Sequence, residues 1–105
     1  MAFQTQIQWT NAGVQARSNY ATNHQIPVPE QYQYNAALNN AIMAWAFQQF
    51  AQYPGNPANQ QYPGTATVIY TNRQGAQRNY PTNWRCIVSG YNAGIGMTLQ
   101  ITNVL

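Results

Sequence analysis

Residues 3–9 alternate strictly, with Phe3, Thr5, Ile7 and Trp9 on one side and Gln4, Gln6 and Gln8 on the other. A period of two over seven residues predicts a half-buried strand whose outer side is a ladder of glutamines. Asn11-Ala12-Gly13 reads as a turn. Residues 14–26 have no clear period; Tyr20 and Ile26 are the expected anchors there, and Pro27-Val28-Pro29 then favours extended backbone. From Pro29 the spacing becomes helical. Proline suits the first helical position and Glu30 suits the positive end of the helix dipole, so a helix is predicted over 29–53, from Pro29 to Tyr53, stopped by Pro54-Gly55. At about 100° per residue, Leu38, Ile42 and Trp45 form one apolar stripe, and Ala36, Met43, Phe47 and Phe50 form a second on the opposite side. One sheet cannot cover both. A contact with a neighbouring copy is therefore expected at Met43, Phe47 and Phe50, with the loop 52–64 folded over Phe50 as the intrachain alternative.

Gln52-Tyr53-Pro54-Gly55 recurs as Gln61-Tyr62-Pro63-Gly64. A single recurrence is too little for a solenoid, and Pro-Gly is common turn chemistry, so 52–64 reads as a rigid loop. Alternating strands follow at 65–71, 84–89 and 97–102, separated by turn sequences at Arg73-Gln74-Gly75-Ala76 and Tyr91-Asn92-Ala93-Gly94. The order predicts an α+β domain spanning 1–105: an N-terminal strand, one long helix, then a three-stranded antiparallel meander, with the helix packed across a mostly antiparallel sheet. The place of the first strand in that sheet is left open.

Charge changes this picture more than length does. Arg17, Glu30, Arg73, Arg78 and Arg85 are the only charged residues, 5% of 105, where an ordinary domain has about 25%. Amides, eight tyrosines and three tryptophans supply the polarity instead. Glu30 is the only carboxylate side chain, which excludes two-carboxylate hydrolysis within one copy. One cysteine, one histidine and one glutamate, widely spaced, lack the pattern of zinc or calcium ligands, so neither metal nor cofactor is expected. Cys86 and His24 are the only nucleophile and base, but Cys86 shares strand parity with Trp84 and Val88 and should be a buried, inert thiol. No catalytic residue is assigned. The chain is expected not to be an enzyme.

The net charge of +3 rests on scattered arginines. Arg73, Arg78 and Arg85 are the candidate phosphate contacts, and so few charges predict weak, salt-sensitive affinity for nucleic acid. Trp9, Trp45 and Trp84 fall on core-facing positions. Among the tyrosines near expected loops and helix ends, Tyr53, Tyr62, Tyr80 and Tyr91 are the candidate stacking platforms for a ligand. Thr65, Thr67 and Thr71 on one strand, with Thr98 and Thr102 on another, would form a hydroxyl array on a solvent-facing side. No signal-peptide pattern, N-glycosylation acceptor or span of about 18 apolar residues is present in the sequence. Depleted charge and enriched aromatics are features of interface cores. The expected function is a non-enzymatic, self-assembling structural subunit of the viral capsid, tail or extracellular filament type, whose partners are copies of itself and, weakly, nucleic acid. The alternative is a carbohydrate-binding module using loop tyrosines and amides.

Overall fold

The glutamine-laced alternation forms strand β1 (Gln4–Trp9), and Thr10 turns the chain directly into helix α1 (Asn11–Asn23). A computed structural model of the chain describes residues 3–50 and 57–105. Thr10 Oγ1 accepts a hydrogen bond from the Gly13 N–H at 3.0 Å and donates one to the Ile101 carbonyl at 2.9 Å, a threonine cap that also ties the helix start to the sheet. The expected turn at Asn11-Ala12-Gly13 is thus the first turn of a helix. Gly13 is needed because the helix crosses β-strand backbone here: a Cβ on it would fall 2.2 Å from the Ile101 oxygen. At the other end His24 caps the helix, stacking on Tyr20 with ring centroids 3.8 Å apart.

Helix α2 (Glu30–Phe50) begins one residue after Pro29. The end expected at Tyr53 and the first Tyr-Pro-Gly copy lie outside the described residues. Its buried positions are Glu30, Tyr34, Leu38, Ile42, Ala46 and Phe50, four residues apart throughout. At 3.6 residues per turn such a row advances about 40° around the helix with each step. The contact stripe therefore winds as the helix crosses the sheet obliquely, and it reaches Phe50. Phe50 is 3% exposed and packs edge-on against Tyr62 at 4.8 Å and Trp45 at 5.5 Å. The expectation that Phe50 belongs to an outward stripe is corrected by this drift.

Strands β2 (Gln61–Thr71), β3 (Gln77–Asn92) and β4 (Gly96–Val104) complete the chain. The sheet order is β1-β4-β3-β2, with β1 parallel to β4 and the other neighbours antiparallel. The architecture is α+β, as expected, but with two helices on a four-stranded mixed sheet. All three later strands outrun their predicted spans. In particular Gln61-Tyr62-Pro63-Gly64 is strand, not loop: Pro63 sits in an edge strand, where a missing donor is tolerated, and Gly64 leaves room for the Trp84 indole paired across from it.

Both helices lie on one face of the sheet, and the core is Leu38, Ile42, Val68, Trp84, Cys86, Val88, Leu99 and Ile101 with a row of tyrosines at one end. Tyr20 stacks on Tyr34 (5.6 Å), Tyr34 meets Tyr80 edge-on (6.0 Å), and Tyr80 stacks on Tyr70 (5.4 Å). The Tyr70 hydroxyl donates to Glu30 Oε2 at 3.1 Å, which holds the single carboxylate at 6% exposure. Tyr20 donates to the Pro81 carbonyl. The Tyr34 hydroxyl is buried beside Thr82, whose own proton goes to the Leu105 carbonyl, and has no hydrogen-bond partner among the described residues.

This row sets an alkaline limit to stability. Burial raises the tyrosine pKa of Tyr20 and Tyr34, and burial together with the Tyr80 hydroxyl and the Glu30 carboxylate raises that of Tyr70. Burial alone pushes the Cys86 thiol up to about 11. A group whose folded value lies above its unfolded one contributes stability below the unfolded value and loses it as pH rises toward the folded one. Thermal melts should therefore hold steady up to about pH 9 and then fall by about 5 °C or more by pH 11, as the unfolded chain ionises tyrosines near 10. A melting temperature unchanged at pH 11 would contradict the buried, neutral tyrosine row.

Candidate functional site

Two described surfaces bear the residue types singled out in the sequence. The first is the outer side of α2. Phe47 is 54% exposed and Met43 36% exposed, and neither is on the winding contact stripe. Phe47 meets the edge of Phe3, with centroids 6.5 Å apart at 72°; Phe3 in turn leans on Tyr91 at 6.2 Å. Of the three expected interface residues, two face outward and one, Phe50, is core. No charged residue follows Glu30 along α2, so this side of the helix is neutral, built of apolar and amide residues with the exposed Tyr32.

The second surface is the sheet face opposite the helices. In β3 the even-numbered Tyr80, Thr82, Trp84, Cys86 and Val88 are buried beneath the helices, so the odd-numbered residues point the other way. Register carries one row straight across this face: Gln8, Gln100, Ile87 and Gln61. Thr65, Thr67 and Thr71 are exposed on β2, and Thr98 and Thr102 lie half-buried on β4. The face is a neutral sheet of amides and hydroxyls with Arg85 its one charge among the described residues. Two further rows, Gln4–Gly96–Asn92 and Gln6–Thr98–Gly90, each contain a glycine. A shallow depression of about 290 Å³ lies here, rimmed by Gln4, Gln6, Asn92 and Thr98; Gly90 leaves it open, while Gly96, where a Cβ would fall 2.0 Å from the Gln4 carbonyl oxygen, lets the β1 backbone approach. The glutamine alternation was visible in the sequence; the glycines opposite it were not, since nothing in the sequence pairs β1 with β4.

The described members of the expected stacking set, Tyr62, Tyr80 and Tyr91, are engaged within the fold. Tyr80 is buried against Tyr70 and Tyr34. Tyr62 covers Phe50, and its hydroxyl donates to the Pro57 carbonyl at 3.1 Å. Tyr91 lies on the helix face beside Phe3, with its hydroxyl toward the Phe50 carbonyl at 3.5 Å. Tyr53 lies outside the described residues. The arginines do not converge. Arg73 sits in the β2–β3 turn, Arg78 shares the helix-side parity of β3, and Arg85 faces the open side seven residues on. One phosphate site using all three is not formed. Arg17, absent from that expectation, places its guanidinium 4.3 Å over the Trp9 ring, while the Trp9 indole donates to Asn39 at 3.0 Å.

Cys86 and His24 are likewise apart in their commitments. The Cys86 thiol is fully buried and directed at the Tyr62 carbonyl at 3.5 Å, whereas His24 Nδ1 meets the Tyr20 carbonyl at 2.9 Å at the end of α1. A raised pKa and burial keep the thiolate scarce. A thiol reagent at pH 7.5 should label Cys86 at least about a hundredfold more slowly in the native protein than in denaturant; comparable rates would overturn its burial. Among the described residues, no three of His, Cys, Asp and Glu come together as metal ligands, and no helix is long and apolar enough to cross a membrane. Comparison of the chain with protein-family models, curated proteins and solved structures returned no match.

Proposed function

We propose that the protein is a non-enzymatic structural subunit that assembles with copies of itself. The observation that carries this reading is the outer side of α2, where Phe47 is 54% exposed beside Met43 on a helix without a charge after Glu30. An exposed large aromatic on an uncharged helix side is the composition of an interface core before its partner arrives. The amide and hydroxyl sheet face supports the same reading, since it offers neutral hydrogen bonds and no like-charge repulsion between identical copies. Nucleic acid is at most a secondary partner, because arginines spread over both faces give a single copy few phosphate contacts. A capsid, tail or filament unit fits these properties.

The carbohydrate reading retains one observation, the amide-rimmed depression at Gln4, Gln6, Asn92 and Thr98. Of its described stacking platforms, Tyr80 is buried, and Tyr62 and Tyr91 are half-buried against Phe50 and Phe3. Sedimentation velocity over a hundredfold range of concentration separates the two. Growth of the sedimentation coefficient with concentration is expected; a monomer throughout, with a neutral saccharide shifting the Gln4 and Thr98 amide resonances, would replace assembly with glycan binding.

A further inference from the structure

Strand β2 is an outer edge of the sheet, eleven residues long, and carries no charged side chain. Edges of that length are ordinarily blunted by lysine, a bulge or brevity. The only such device here is Pro63, near one end. The backbone polarity of the edge can be read from its neighbours. Asn83 and Leu105 exchange both backbone hydrogen bonds, at 2.8 and 2.6 Å, so Asn83 spends its N–H and C=O on the β4 side. Its register partner in β2, Thr65, is therefore in a non-hydrogen-bonded pair with β3, and its own N–H and C=O point outward. Two checks agree: the Pro81 carbonyl is turned from β2 to accept from Tyr20, and the Val88 carbonyl, of opposite parity, accepts from Asn59. Alternation then places the donors and acceptors of Thr65, Thr67, Ile69 and Thr71 on the open edge, and among the described residues no backbone bond of theirs goes elsewhere.

We propose that β2 pairs with β2 of a second copy, antiparallel about a two-fold axis at Val68, joining two sheets edge to edge. The proposal rests on the self-assembly reading but uses a surface separate from Phe47. The register follows from donor arithmetic. Pairing Thr65 with Thr71 and Thr67 with Ile69 uses every outward N–H of this stretch, about eight hydrogen bonds at two per hydrogen-bonded pair. Sliding toward Gly64 brings in Pro63, which has no donor to give. The cross-strand neighbours on the open face are β-branched pairs, which suit adjacent strands. A second copy fits better than the opposite edge of the sheet, because β1 is six residues long and would leave much of β2 unpaired. It also fits because an edge without charge does not repel its own image. With a helix-side contact and an edge contact on different surfaces, one chain has the two independent valences that an extended assembly needs.

The test uses the full chain carrying Phe47→Glu, so that the helix-side contact is removed. Sedimentation should then give a dimer, and hydrogen exchange should find the Thr65, Thr67, Ile69 and Thr71 amides protected at least about tenfold over an open edge. Adding Thr67→Lys and Ile69→Lys sets like charges opposite one another and should yield a monomer with those four amides exposed. Mixing it with a Thr67→Glu, Ile69→Glu partner should restore the dimer. A Phe47→Glu monomer with fast exchange at the four amides overturns the edge pairing and leaves the helix reading standing. Protection of the four amides in a species that sediments as a monomer also overturns it, since an intrachain segment then covers the edge. Assembly of Phe47→Glu beyond a dimer, abolished by the lysine pair, supports the edge and removes the helix contact.

Discussion

Gly64→Ala is expected to be among the most damaging single-methyl changes in this chain. The added Cβ would lie 2.2 Å from Cε2 and Cζ2 of the Trp84 ring, well inside contact distance. Trp84 cannot step aside: it is 1% exposed and held edge-on by Trp45, with centroids 5.8 Å apart. Overpacking of a filled core costs about 1–3 kcal/mol, and a rigid, doubly packed indole belongs at the upper end. For a domain of this size each kcal/mol lowers the melting temperature by about 4–8 °C, so a drop of about 10 °C or more should appear in a thermal melt. Trp84→Phe in the same background should recover part of the loss by vacating the space. A Gly64→Ala variant that melts with the wild type would mean that β2 does not lie over the indole.

Phe47→Glu is expected to leave the fold intact and to abolish the helix-side contact. The ring is more than half exposed and meets Phe3 edge-on, so the isolated domain should lose less than about 1 kcal/mol, as surface substitutions do. At a contact between copies the same carboxylate would be buried without a partner, because the chain has no lysine and no arginine on α2. An uncompensated buried charge costs about 3–5 kcal/mol, which converts to a loss of affinity of about a hundredfold to several thousandfold. Phe47→Leu should retain most of the association. Equal association of the glutamate variant and the wild type would end the helix-side reading.

The segments that were legible are those whose pattern coincides with their packing. The period of two in 3–9 and in the later strands marks faces that are buried on one side, and α2 announced itself by Pro29 and Glu30 at its start. Helix α1 was hidden because it buries only Gly13, Tyr20 and Ala21, which leaves no stripe to detect. Its one local signal is Thr10, a residue type that caps helix starts. Phe50 was misplaced because a straight stripe was assumed where the contact winds with the sheet's twist. The tyrosines were read as loop residues, but Tyr80 entered the core when β3 extended to Gln77, and its partner Tyr70 fixed Glu30 beneath the sheet. The open edge could not be foreseen at all. Which strand lies outermost depends on β1 joining β4, a pairing across nearly the whole chain.

That long pairing also orders events in time. Thr10 bonds to Ile101 across 91 positions, and Gln4 to Trp9 find their neighbours only in Gly96 to Ile101. Strands β2, β3 and β4 can zip through adjacent hairpins as they emerge during synthesis, but β1 must wait, unpaired, until the last of them exists. Closing so wide a loop is slow relative to hairpin formation. Phe3, which leads into β1 and supports Phe47, is kept out of place for the same interval. The helix-side surface proposed as a contact therefore gains its Phe3 support only after β4 exists, whereas the β2 edge is formed earlier, with its hairpin.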